Sequence, residues 1–352
     1  MPMPKRRGTL PVGPNLAPER SRGALLGLAV GDAFGTTIEG RRTFAPQFPE
    51  LALGPHVDIR GLGPHELKAG QVTDDTQMAT CLAASLTELT VFNPEDVRKR
   101  YVKWLDSAFT VDPYVKEVLT TSPGHQASRM VWHQSGRRAH NNASLARTAP
   151  LAVFYAKNED ERLRVSLEEC ALTHFDPRCQ LACAAFNHAL AAAINARGVV
   201  KPEDVMLEAE SAIALGSSRL ARSFPELVQE IHLAADNLRA DLLMARKPDP
   251  QLYGPELHLH TRPDDVRVPF RLALWEMLHA RSFEEGMLDV VNRGGDSDTN
   301  GAIAGGLLGA LYGEDAIPER WRERVLGSLA NVPGPLRDRY HPNQLMTLIG
   351  AS

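Results

Sequence analysis

Gly23-Ala24-Leu25-Leu26-Gly27-Leu28-Ala29-Val30-Gly31-Asp32-Ala33-Phe34-Gly35 sets a glycine at every fourth position. Near the other end of the chain, Gly301-Ala302-Ile303-Ala304-Gly305-Gly306-Leu307-Leu308-Gly309-Ala310-Leu311-Tyr312-Gly313 does the same. Residues four apart share one face of an α-helix. Gly35 and Gly313 suit helix C-caps, where glycine is favoured. The other six stripe glycines, if interior, cost roughly 5–6 kcal/mol relative to alanine. That is comparable to the net stability of a whole domain. A missing Cβ offsets such a cost when backbones pack together, so each segment is expected to be a helix that runs through the centre of the domain and packs closely against some other helix.

Outward from these stripes the chain reads as helix. Apolar periodicity or composition predicts helices over 77–89, 94–105, 165–171, 180–196, 205–215, 227–244, 270–280 and 283–291. Ser21 is expected to cap the first stripe helix, and Asp176-Pro177 has the grammar of a helix start. Alternating β-branched runs are scarce. The stretches 40–72, 106–143 and 245–266 carry much of the Pro and Gly and read as irregular. Residues 1–20, with five prolines and Lys5-Arg6-Arg7, read as a flexible basic tail. No composition break divides the rest, so 21–352 is expected to be one compact all-α domain.

A chain of 352 residues with 43% hydrophobic and 23% charged residues is globular in composition. Its net charge of −4 gives no reason to expect nucleic acid or an anionic membrane as partner. Neither a signal peptide nor a bilayer-spanning run is visible, so a cytoplasmic location is expected. Cys81, Cys170, Cys179 and Cys183 are expected to be buried free thiols. His258 and His260 lack a third partner at zinc-ligand spacing.

The chemistry sits in two acidic motifs, Thr73-Asp74-Asp75-Thr76 and Asp296-Ser297-Asp298-Thr299-Asn300, each ahead of a helical run. Either can be read as a helix N-terminus: Asp74 with Gln77 fits a capping box, and one of Asp296, Asp298 and Thr299 can cap the second helix. Capping leaves the second carboxylate of each motif, and the duplication itself, without a reason. If four carboxylates converge, each like-charge pair at about 4 Å costs on the order of 4 kcal/mol at an effective dielectric near 20. Protons or cations must relieve that. An oxygen-only donor set suits Mg²⁺ or Mn²⁺ rather than zinc.

Gly27–Gly35, Thr73-Asp74-Asp75-Thr76-Gln77-Met78 and Gly295-Asp296-Ser297-Asp298-Thr299-Asn300-Gly301 resemble, in order, the signatures of the ADP-ribosylglycohydrolase family. The resemblance implies an all-α fold with a central cleft holding two Mg²⁺ or Mn²⁺ ions. Carried over by motif, it assigns Thr73, Asp74 and Asp75 to one metal and Asp296, Asp298 and Thr299 to the other, with Asp298 bridging. Glu39 matches a family glutamate that reaches the metals. Glu39 and Asp75 become the candidate acid/base pair.

Two further segments match more loosely. Asn142-Ala143-Ser144-Leu145-Ala146-Arg147 resembles a loop whose amides hold a diphosphate, with Ala143 in place of a glycine. A positive φ at Ala143 would strain it. Thr173-His174-Phe175-Asp176-Pro177-Arg178 resembles a segment whose histidine contacts the substrate. Arg147 and Arg178 read equally well as ion-pair partners of nearby acids.

The expected activity is removal of ADP-ribose from a modified protein, with arginine the favoured acceptor. The alternative is an immunity protein that neutralises an ADP-ribosylating toxin, by hydrolysis or by binding it through the basic tail. A terpenoid synthase would carry a third acid further along the helix face, where this chain has Thr76, Gln77 and Met78.

Overall fold

The structure is a computed structural model and describes residues 17–43, 50–328 and 339–350. Among these residues there are sixteen α-helices. Extended pairing is limited to isolated bridges. The helices run α1 Ala17–Gly35, α2 Asp74–Leu89, α3 Pro94–Trp104, α4 Pro113–Thr120, α5 Ala127–Gln134, α6 Ala143–Ala146, α7 Ala149–Phe154 and α8 Glu159–Ala171. They continue as α9 Pro177–Asn195, α10 Pro202–Ser223, α11 Val228–Ala245, α12 Arg267–His279, α13 Phe283–Asn292, α14 Ser297–Tyr312, α15 Glu319–Leu326 and α16 Pro342–Leu345.

The two glycine stripes meet. A Cβ on Gly23 would lie 2.2 Å from the Gly309 carbonyl oxygen, one on Gly27 2.1 Å from that of Gly305, and one on Gly31 1.9 Å from that of Gly301. Gly35 would meet the Ser297 carbonyl at 2.1 Å. As residue numbers rise along α1 they fall along α14, so the pair is antiparallel. Both helices are buried along nearly their whole length, with α9, α12 and α13 packed around α14. The antiparallel pairing has one consequence for function. The C-terminal end of α1, leading to Glu39, lies beside the N-terminal end of α14, which carries Asp298 and Thr299.

Several local expectations are corrected. α1 begins at Ala17, so 17–20 belong to the helix rather than to the tail. Arg20 is buried, and its guanidinium donates to the Ala193 carbonyl at 3.3 Å and the Ala196 carbonyl at 2.5 Å, at the end of α9. Ser21 is a buried position inside α1 and not its cap. The remainder of the expected tail, 1–16, lies outside the described residues. The stretch 106–143 contains α4 and α5. Asp112 caps α4 by accepting from the Val115 amide at 2.8 Å, with Pro113 at its first position. Asp176 does the same for α9, accepting from the Arg178 amide at 2.9 Å, as its sequence suggests. All four cysteines are buried and free. His260 is taken up by the Thr43 carbonyl at 2.9 Å.

Candidate metal centre and substrate cleft

Asp32, near the end of α1, organises the first acidic motif. Its carboxylate accepts the Thr73 amide at 3.0 Å, the Thr76 amide at 3.1 Å, the Thr73 hydroxyl at 3.0 Å and the Thr76 hydroxyl at 2.5 Å. It therefore caps α2 from outside that helix. Thr73, the residue at the N-cap position, makes no side-chain cap bond of its own, and Asp74 is already helical. The capping-box reading of Asp74 and Gln77 is thereby replaced: Gln77 accepts from the Trp104 indole at 2.8 Å. Asp296 occupies the N-cap position of α14, likewise without a side-chain cap bond. Neither Thr73 nor Asp296 caps the amides of its own helix through its side chain.

The connection after α1 is joined to the loop before α14. The Gly40 amide donates to the Gly295 carbonyl at 2.7 Å, the Gly295 amide to the Arg41 carbonyl at 2.9 Å, and Ser297 Oγ to the Gly35 carbonyl at 2.7 Å. Gly294 and Gly295 adopt φ of 71° and 69°, and a Cβ at Gly294 would lie 2.3 Å from the Arg41 carbonyl. This brings the acids of both motifs and Glu39 into one cluster. Burial pushes the Asp75 carboxyl well above its ordinary range, and Asp74, Asp32 and Asp296 push it further. Asp298 is raised by burial and then by Asp296, Glu39 and Asp75. Glu39 is raised by burial, with Asp296 and Asp74 adding to the shift and His65 opposing it. Thr299 lies within reach of Asp75 and Asp296, where its hydroxyl favours their charged forms.

Among the described residues, no Lys or Arg comes within ion-pair distance of Asp32, Glu39, Asp74, Asp75, Asp296 or Asp298. Glu39 has only His65, whose Nε2 is 3.1 Å from its carboxylate. Asp75 Oδ2 and Asp298 Oδ1 are buried without a hydrogen-bond partner. Oxygen donors, concentrated negative charge and unpartnered buried carboxylate oxygens fit hard divalent cations. The cluster is open: among the described residues, no three His, Cys, Asp or Glu side chains close into a ready cage.

The expected substrate loop is connected to this cluster but built differently from the resemblance. Asn142 Nδ2 donates to Asp296 Oδ2 at 2.6 Å. Ala143 opens the helical turn α6 and is absent from the positive-φ residues, so alanine is unstrained there. The Leu145 amide donates to the Asn142 carbonyl at 2.8 Å, closing the turn where an open nest was expected. Ser144 points into the core, with its hydroxyl 3.4 Å from Cys170 Sγ and 3.7 Å from Cys183 Sγ, and Leu145 is fully buried. Asn142 is the loop residue whose side chain bonds to the cluster.

His174 is also redirected. It is fully buried, with Nδ1 2.8 Å from the Thr173 hydroxyl and Nε2 hydrogen-bonded to Asn141 Oδ1. Both ring nitrogens are engaged inside the protein, and burial holds the imidazole in its neutral form. Its work is to orient Asn141, whose Nδ2 donates to Asp112 at 3.1 Å. The Asp112 amide in turn donates to Asp74 at 3.1 Å. Asp32 and Asp112 are the site residues that motif reading missed. Asp32 is the one charge within the glycine stripe Gly23–Gly35, and Asp112 precedes a proline as Asp176 does. Arg147 is structural: its Nε lies 2.8 Å from Glu169 with both side chains fully buried.

A sequence model of the ADP-ribosylglycohydrolase family matches residues 14–345, and the chain belongs to that family. It is 27% identical over 331 residues to the ADP-ribosylarginine hydrolase Tri1 of Pseudomonas putida (strain GB-1), covering 90% of this chain and 76% of that protein. The ADP-ribosyl-[dinitrogen reductase] glycohydrolase of Rhodospirillum rubrum is 27% identical over 318 residues, covering 87% and 90%. The ADP-ribosylhydrolase ARH3 of Gallus gallus is 24% identical over 345 residues, covering 87% and 89%. A solved structure titled ADP-ribosylglycohydrolase-related protein complex superposes with a TM-score of 0.67 at 27% identity, covering 96% of this chain and 99% of that one. Among the described residues, no helix is long and apolar enough to cross a membrane.

Proposed function

We propose that the protein hydrolyses the glycosidic bond between ADP-ribose and a modified protein side chain, with arginine as the acceptor. The observation that carries this reading is the convergence of two acidic motifs and Glu39 into one cluster with no Lys or Arg counter-charge among the described residues. Glu39, Thr73, Asp74, Asp75, Asp296, Asp298 and Thr299 would hold two Mg²⁺ or Mn²⁺ ions. When bound, the cations would supply positive charge beside the anomeric carbon and a template for the ribose hydroxyls.

Water adds its oxygen to the anomeric carbon, the carbon–nitrogen bond breaks, and the guanidine nitrogen receives a proton. Glu39, half-buried at the edge of the cluster, and Asp75, at its floor, are the carboxylates positioned to carry that proton. Asn142 fixes Asp296 from the side of the substrate loop. The arginine acceptor rests on the relatives named as ADP-ribosylarginine hydrolases. The test is release of ADP-ribose from arginine- and serine-modified peptides, with and without EDTA. Cation-dependent release from the arginine peptide is expected; release unaffected by EDTA, or from the serine peptide alone, would contradict the reading. Of the toxin-binding arm expected at 1–20, residues 1–16 lie outside the described residues.

A further inference from the structure

On the rim of the acidic cluster lies a cleft of about 290 Å³ lined by Arg41, Arg42, Arg60, Thr37, His56 and Asn292, among others. The three arginines are exposed. Among the described residues, none of their guanidinium groups has a carboxylate within ion-pair distance. Asp58, two residues before Arg60, accepts from the Ile59 amide at 3.0 Å and faces Arg320 at 3.8 Å. The floor is rigid. The His56 backbone is held at both ends by the Asn292 side chain, at 2.9 and 2.7 Å, and its ring nitrogen bonds the Phe34 carbonyl at 3.0 Å. Burial disfavours protonation of His56, and the positive charges of Arg60 and Arg41 add to that.

This cleft is structurally continuous with the reaction centre. Arg41 and Arg42 follow Glu39 by two and three positions. Arg42 forms an isolated antiparallel bridge with Gly294, and Thr43 Oγ1 donates to the Arg293 carbonyl at 2.6 Å. The segment bearing the arginines is therefore pinned to the loop that delivers Asp296. We infer that the cleft of Arg41, Arg42 and Arg60 docks a carboxylate-bearing segment of the protein substrate, next to the ADP-ribosylated side chain.

The inference rests on the hydrolase reading above. The size of the cleft is compatible with it: about 290 Å³ leaves room for a side chain or two. The charge supports it. Three guanidinium groups that lack a carboxylate partner among the described residues give the rim a local positive charge complementary to an acidic segment. Guanidinium also matches carboxylate geometry better than an ammonium would.

The experiment compares wild type with Arg60→Glu and with the double variant Arg41→Gln/Arg42→Gln on three substrates. These are free ADP-ribosyl-arginine, a peptide with the modified arginine flanked by Asp and Glu, and the same peptide with Asn and Gln. Folding is checked by melting temperature. Wild type is expected to favour the acidic peptide, and both variants to raise its KM about tenfold at unchanged kcat, the size expected for a few exposed charge pairs. Free ADP-ribosyl-arginine should be turned over as by wild type. Equal losses on all three substrates would assign the arginines to the diphosphate and overturn the inference. So would a wild type indifferent to the flanking acids.

Fluorescence anisotropy of the two peptides in EDTA repeats the comparison without turnover. If wild type hydrolyses nothing, the hydrolase reading falls. Tighter wild-type binding of the acidic peptide, lost in the variants, would still support the cleft, and equal binding of both peptides would overturn it.

Discussion

A Cβ on Gly31 would lie 1.9 Å from the carbonyl oxygen of Gly301, so α1 and α14 touch backbone to backbone. Gly31→Ala must push the helices apart, and overpacking of this kind costs about 1–3 kcal/mol, occasionally more. Gly306→Ala is the internal control. Its Cβ would meet nothing closer than the Ala24 carbonyl at 3.7 Å. The helix-propensity gain of about 0.8–1 kcal/mol should therefore survive. Denaturant melts of the two variants should move in opposite directions; a common direction would remove the close-packing account of the stripe.

Asp298 shares its burial with Asp75, Asp296 and Glu39. In EDTA, Asp298→Asn relieves like-charge repulsion and should stabilise the fold by about 1 kcal/mol or more. Added Mg²⁺ or Mn²⁺ should raise the wild-type Tm, since a ligand at a hundred times its Kd contributes about 2.7 kcal/mol. The variant should gain little. An equal cation response in both proteins would remove Asp298 from the cation site. Activity of Asp298→Ala should be lost.

Arg147 and Glu169 form a fully buried ion pair at 2.8 Å, completed by Thr173 at 2.7 Å and by the Tyr101 hydroxyl on Glu169 at 2.8 Å. Arg147→Ala leaves a buried carboxylate uncompensated and should cost about 3–5 kcal/mol in a urea melt. A loss below 1 kcal/mol would mean that the pair contributes little.

Glu276 is fully buried with the Asp289 carboxyl beside it. Burial, then Asp289, raises its pKa well above the ordinary 4.5. The folded chain keeps a proton that the unfolded chain releases above about 4.5, so this group's contribution falls as pH rises, by up to about 1.4 kcal/mol per unit. Glu276→Gln should flatten the stability profile from pH 4.5 upward and be the more stable protein at pH 8. Parallel profiles would show that Glu276 does not titrate this way.

Ala143→Gly tests the substrate loop. Because Ala143 sits in a helical turn without positive φ, glycine should lower stability by up to about 1 kcal/mol. It should leave kcat/KM within about twofold. A large gain in activity would show that the loop needs glycine's conformations.

The readable parts of the site were those in which chemistry is local in sequence. Thr73-Asp74-Asp75 and Asp296-Ser297-Asp298-Thr299 declare their oxygens directly, and Glu39 follows the glycine stripe at short range. Asp32, Asp112 and Asn141 were not read because each acts through partners 29 or more residues away. Ser144 and His174 lie in motif-like segments, yet their polar atoms are taken up by core partners. A motif does not encode which face of a turn is buried.

The sequence by itself determined the helical class, because periodicity and the cost of interior glycine are properties of the chain. It also determined the family, and it required a tight contact along each glycine face. Only the tertiary structure decided that each stripe's partner was the other, running antiparallel. Backbone contact at Gly23, Gly27, Gly31 and Gly35 fixes both direction and register at once. That register brings Glu39 to Asp298, sets Arg41 and Arg42 against Gly294, and leaves a cluster of carboxylates with unpartnered oxygens at the end of the two helices.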